Sequence, residues 1–248
     1  MTFFIYNVIF IIGDNMNIRH LNLKYISNMR DIGGYETKEG RVTKFNRLYR
    51  SNYVKNLEDD ELMLLKNNHL SLVIDLRSNE DNESKPNYLK DKVEFHNIYL
   101  PDELPNEEKD IPGSYINILE NKELKEVFEL IRTHKDLVII SCSMGKDRTG
   151  VVIMLLMLLC GVNNKDIIAD YNLSYNYLKD DVNLYHLNHP EAAAWVGASK
   201  SWYMEDAIKL FYNRFQNVND YFINYLGMTP DSLFELKESL LYEKEKGF

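Results

Sequence analysis

The chain of 248 residues contains only two cysteines, Cys142 and Cys160. Two thiols cannot staple a domain of this size, and no Cys-x-x-Cys pair occurs. Its six histidines are scattered, so zinc-ligand spacing is missing as well. Positive charge is short: 29 Lys and Arg stand against 38 Asp and Glu, for a net charge of −9. That balance excludes bulk attraction to nucleic acid or to an anionic membrane surface, and any anionic partner must be held by a local group of donors. No apolar run reaches the roughly 20 residues that span a bilayer. The stretch FFIYNVIFII, residues 3–12, is too short, follows no Lys or Arg, and precedes no small-x-small cleavage site. It reads as an N-terminal extension, 1–15, upstream of a more ordinary start at Met16. An edge strand and a degenerate export signal are the alternatives. Residues 16–248 are expected to form a single domain, cytoplasmic unless the apolar stretch directs export.

What is present is an alternation of strands and helices. Residues 71–76 (SLVIDL) and 137–140 (LVII) are short apolar runs without polar alternation, as expected of strands covered on both faces. VEFHNIYL, 93–100, alternates and reads as a further strand. The turn-rich segment 28–42 predicts a β-hairpin. Helical spacing predicts helices over 57–70, 114–135, 149–162, 164–178, 203–215 and 218–227. A last helix starts at Thr229-Pro230-Asp231, a capping hydroxyl followed by proline and an acid, and runs to about Tyr242. Residues 149–162 are apolar nearly all round, and at this length they predict a core helix stopped by Gly161. The order of elements implies an α/β fold with a mainly parallel central sheet flanked by helices. Such sheets bind ligands at the C-terminal ends of their strands, where Cys142 lies.

The segment VIISCSMGKDRTG, residues 138–150, carries the chemistry. Between a buried strand and a buried helix, residues 142–148 must curl over the helix N-terminus. Free backbone N–H groups and the helix dipole there make an anion site that a phosphate fits. Arg148 adds a planar fork matched to two phosphate oxygens. Cys142 would share the hollow, and the donors that hold phosphate also favour thiolate over thiol. A nucleophile under a bound phosphoryl group implies in-line attack, a cysteinyl-phosphate intermediate and its hydrolysis by water. The Thr149 hydroxyl is placed in sequence to donate to the departing sulfur. A lone cysteine at a strand end is more often structural; the full series of strand, Cys, mid-loop glycine, Arg-Thr-Gly and apolar helix favours the anion site. A kinase-type P-loop is poorly supported, because Gly145-Lys146 is followed by Asp147 and not by Ser or Thr, and no glycine stands five residues before Gly145. Cys160, on the apolar helix, reads as inert core.

The segment CSMGKDRTG resembles the signature loop of the cysteine-dependent protein tyrosine phosphatase superfamily. Its GKDRTG form resembles one bacterial branch, the atypical tyrosine and dual-specificity phosphatases that also act on phosphoinositides. Residues 28–35 (NMRDIGGY) with 48–51 (LYRS), 73–78 (VIDLRS), and Asp170-Tyr171 with Ser174 match that branch too. The resemblance implies Cys142 as nucleophile, Arg148 as phosphate clamp, and a cradle of Ser143, Met144, Gly145 and Lys146, with no metal or organic cofactor. It implies Asp147 as general acid; Asp102, in LPDELP, is the alternative from a separate loop. Asp75 and Arg77 either border the pocket or form a buried ion pair. Lys146 either adds a cation at the rim or is a solvated loop lysine. Ser141 stands where the superfamily usually has histidine, and serine can hydrogen-bond but carries no charge, which implies a slower first step. Residues 180–227 form either a helical lid or permanent packing. The implied substrates are a phosphotyrosyl protein first, then a phosphoinositide or inositol phosphate. A phosphate-binding protein without turnover is the rival from another class.

Overall fold

A computed structural model describes residues 19–243. The apolar stretch at 3–12 lies outside the described residues. A five-stranded sheet has the order β1-β2-β5-β3-β4. Its strands are β1 (Arg30–Asp31), β2 (Leu48–Asn52), β3 (Leu70–Asp75), β4 (Glu94–Asn97) and β5 (Leu137–Cys142). All neighbours pair in parallel except β1, which runs antiparallel to β2. The helices are α1 (Asp59–Asn67), α2 (Asn79–Ser84), α3 (Ile111–Leu119), α4 (Leu124–Thr133), α5 (Asp147–Cys160), α6 (Asn164–Tyr177), α7 (Lys179–Asn188), α8 (Ser201–Phe215), α9 (Val218–Asp220) and α10 (Pro230–Leu240). The mainly parallel α/β architecture expected from the element order is the one observed.

The sheet divides the core in two, because successive side chains of a strand face opposite sides. Leu72, Ile74, Val138, Ile140 and Cys142 pack with α3, α5, α8 and α10. Val73, Leu137 and Ile139 pack with Leu65 of α1 on the other face. β5 sits between β2 and β3 and is buried along its whole length, which is why its run shows no polar alternation. In α5, every residue from Arg148 to Cys160 is buried. Each large apolar side chain covered this way contributes roughly 1.5–3 kcal/mol. Gly161 ends α5 in the left-handed region at φ 78°, and its N–H and that of Val162 return to the carbonyls of Leu158 and Met157.

Several elements differ from the sequence expectation. The helix predicted over 114–135 starts earlier and breaks into α3 and α4. Asn121 Nδ2 donates to the carbonyls of Asn117 and Ile118, and the hydroxyls of Tyr221 and Tyr225 donate to those of Leu119 and Glu120. These partners satisfy the C-terminal carbonyls of α3, so the helix can stop without a glycine. The hairpin predicted over 28–42 is reduced to one bridge, Glu36 to Val42, while Arg30–Asp31 pairs with β2 instead. β2 has no apolar signature because Arg50 lies buried within it. Tyr221–Tyr225 continues α9 as a π-turn. Among the described residues no helix is long and apolar enough to cross a membrane.

Candidate active site

The strand parity of β5 settles which way its last residues face. Cys142 shares the α5 face with Val138 and Ile140 and is 2% exposed. Ser141 has the opposite parity; it is fully buried, and its Oγ has no hydrogen-bond partner among the described residues. After Cys142 the chain turns through Ser143, Met144, Gly145 and Lys146 into the N-terminus of α5, whose first N–H groups have no partner within the helix. Gly145 takes φ 65°, and a Cβ there would lie 2.3 Å from the backbone carbonyl of Ser51. No other residue fits that approach.

A buried polar network clamps the back of the loop. Arg50 Nη2 donates to the Gly145 carbonyl at 2.8 Å, and Asn28 Nδ2 donates to the carbonyls of Met144 at 2.8 Å and Gly145 at 3.2 Å. With their carbonyls so held, the peptide units of the turn cannot rotate freely. Asp170 of α6 anchors the clamp by pairing with Arg30 Nε at 2.8 Å and Arg50 Nη1 at 2.5 Å. Burial by itself would raise the pKa of Asp170; the two guanidinium groups outweigh it and hold it down at about 2. Arg30, Arg50 and Asp170 are each 1% exposed.

Four charged side chains meet in front of the loop. Arg148 Nη1 donates to the Leu76 carbonyl at 3.3 Å and Nη2 to Ser143 Oγ at 3.0 Å. Its Nε lies 3.4 Å from Asp102 Oδ2, within charge-pairing range, but makes no hydrogen bond. Burial opposes the Arg148 charge, yet the Cys142 sulfur, Asp102 and Asp147 raise its pKa overall. Asp102 is exposed along its backbone, while its side chain is only 23% exposed. Burial chiefly, and then the charge of Asp147, push its carboxyl up to about 6, against the pull of Arg148 and Lys146. Lys146 is not at a solvated rim. It is 5% exposed, and its Nζ donates to Asp147 Oδ1 at 2.5 Å. The same oxygen accepts from Tyr115 OH, which in turn meets Tyr171 OH at 2.6 Å. Thr149 is fully buried, and its Oγ1 has no partner among the described residues. Asp75 and Arg77 form a buried ion pair at 2.8 Å, joined by Asn82 and Asn87. They shape the β3 end, and the backbone of Leu76 between them is what meets Arg148. Among the described residues no cluster of His, Cys, Asp and Glu is placed to hold a metal ion.

A family model described as tyrosine phosphatase family matches residues 21–242. The chain belongs to the tyrosine phosphatase family. It is 31% identical over 126 residues to a tyrosine-protein phosphatase of Nostoc commune, covering 44% of this chain and 42% of that one. It is 27% identical over 164 residues to a putative tyrosine-protein phosphatase of Cupriavidus necator, covering 59% of each. The chain thus spans about half the length of these curated relatives. Among solved structures, the crystal structure of P. aeruginosa TpbA aligns with a TM-score of 0.35 at 13% identity, over 56% of this chain and 83% of that one.

Within this tyrosine phosphatase fold a groove of about 400 Å³ adjoins the loop at Ser143 and Met144. Its walls come from Tyr53 after β2, from Leu178, Val182 and Tyr185 at and within α7, and from Val196. α7 has no buried residue, whereas α8 contributes Tyr203, Met204, Ala207, Ile208, Phe211 and Phe215 to the core. Sequence reasoning singled out the loop and Asp102 but gave no role to the clamp of Asn28, Arg30 and Arg50. Their signal is present in hindsight of physics: arginines inside strand-forming segments are rare unless a carboxylate meets them. Cys160 lies in the core, and burial pushes its thiol up to about 12.

Proposed function

We propose that this chain is a phosphomonoester hydrolase acting through a cysteinyl-phosphate on Cys142. The observation that carries this reading is the clamped turn that follows Cys142, across which Arg148 reaches back to donate to the Ser143 hydroxyl. Backbone N–H groups of residues 143–148 and the Arg148 fork hold the substrate phosphate. The Cys142 thiolate attacks phosphorus; the S–P bond forms as the ester P–O bond breaks. Asp102 gives its proton to the leaving oxygen, a role its raised proton affinity supports. Water then attacks phosphorus and passes a proton to the Asp102 carboxylate. The S–P bond breaks, inorganic phosphate leaves, and the Thr149 hydroxyl donates to the departing sulfur. Every step uses groups of this chain and water alone.

The preferred substrate is a phosphotyrosyl protein, since the groove beside Ser143 and Met144 offers apolar and aromatic walls to a leaving group. The second reading, a phosphoinositide or inositol phosphate, is favoured by Lys55 and Lys85 in the same groove. Purified protein is expected to hydrolyse p-nitrophenyl phosphate. Cys142→Ser should lower turnover by about 10⁴-fold or more while vanadate still binds. Equal, negligible turnover in both proteins would leave a phosphate-binding protein in place of an enzyme. A panel of phosphotyrosyl peptides, phosphoinositides and soluble inositol phosphates separates the two substrate readings.

A further inference from the structure

Resting on the phosphatase reading, we infer that Asp147 is a positioning residue, a fixed counter-charge that keeps the loop's cations from stripping the proton from Asp102. Two cations press on Asp102: Arg148, whose Nε lies 3.4 Å away, and Lys146. Left uncompensated, both favour the carboxylate, which cannot protonate a leaving oxygen. Asp147 opposes them from the first position of α5. Its Oδ1 takes the Lys146 ammonium at 2.5 Å and the Tyr115 hydroxyl at 2.5 Å. Tyr115, from α3, is backed by Tyr171 of α6 at 2.6 Å, and both tyrosines are 1% exposed. The carboxylate is therefore held by a donor from the loop and a donor from α3, the latter backed by α6.

The charged and titratable groups around Arg148 and Asp102 divide cleanly. Lys146 and Arg148 lower the proton affinity of Asp102, and Asp147 raises it. The Cys142 sulfur and Asp81 of α2 act on Arg148. Removing the Asp147 charge has two effects of one sign. It takes away the repulsion that favours a protonated Asp102, and it leaves Lys146 unneutralised.

The test follows the Asp102 carboxyl directly by carbon NMR of aspartate-labelled protein, in the intact chain and in Asp147→Asn. The Asp102 signal is assigned by its loss in Asp102→Asn. The expected result is a downward shift of the Asp102 midpoint by about one pH unit. In parallel, the fall of kcat/KM with rising pH should begin about one unit lower. Tyr115→Phe should move both readings the same way by less, and it carries the test if Asp147→Asn does not fold. An unmoved Asp102 midpoint in both variants overturns the inference. So does a loss in Asp147→Asn at every pH that is steeper for phenyl phosphate than for p-nitrophenyl phosphate, since that pattern belongs to the acid itself. Absence of turnover in the parent protein defeats the phosphatase reading separately and leaves the NMR titration to decide the coupling.

Discussion

Asp102 and Asp147 carry the same functional group in different company. Asp147 follows Lys146 in the chain, so its partner comes from local sequence. Asp102 reaches Arg148 across 46 positions, on a segment without helix or strand. The GKDRTG resemblance directs attention to Asp147, and the energetics of burial direct it to Asp102. If Asp102 is the proton donor, its protonated form is the active one, so kcat/KM should fall as pH rises through about 6. Asp102→Asn should abolish that fall. It should lower kcat for phenyl phosphate by about 10²–10⁴-fold, and p-nitrophenyl phosphate should suffer less because its leaving oxygen needs no proton. Steady-state pH profiles with the two esters check this. Ser141 shows a related limit. Sequence shows that histidine is missing before Cys142; only strand parity shows that the Ser141 side chain faces away from the thiol's side of the sheet.

At the scale of elements, legibility follows burial. β3, β5 and α5 are almost wholly buried, so their composition is uniform and their presence is plain, while their ends fall one or two residues from the expected ones. α7 is the opposite case. It buries no residue, and its apolar side chains Leu184, Tyr185 and Leu187 are largely exposed, so no period marks it. Its role is to wall the groove next to the loop. Tyr185→Ala should raise KM for a phosphotyrosyl peptide by about 3–10-fold, the worth of one aromatic contact. Its kcat and its activity on p-nitrophenyl phosphate should stay at parent values, because α7 adds nothing to the core. The α3–α4 break was hidden for another reason: the groups that end α3 include tyrosines more than 100 positions away.

At the scale of the molecule, the clamp draws on four regions of the chain: Asn28 and Arg30, Arg50, the 142–148 turn, and Asp170. It ties the antiparallel edge of the sheet and α6 to the loop at the centre. Asp170→Asn leaves two buried guanidinium groups without their counter-charge and should cost about 3–5 kcal/mol, measured by urea unfolding near neutral pH. The pH dependence has a definite sign. The pKa of Asp170 is depressed on folding, so its contribution is present above about pH 4 and is lost as pH falls toward about 2. Parent protein should lose stability through that window, and Asp170→Asn should lose less of it.

The sequence alone determined the class of sheet, the core helix and the place of the turn after Cys142. Each of these depends on residues near one another in the chain, through alternation, helical spacing or a loop's backbone. Tertiary structure alone decided which carboxylate meets Arg148, that Lys146 is buried against Asp147, and that Arg50 grips the turn from behind. Those outcomes rest on charges brought together from distant positions, where burial removes water and makes the partner, not the residue type, set the proton affinity.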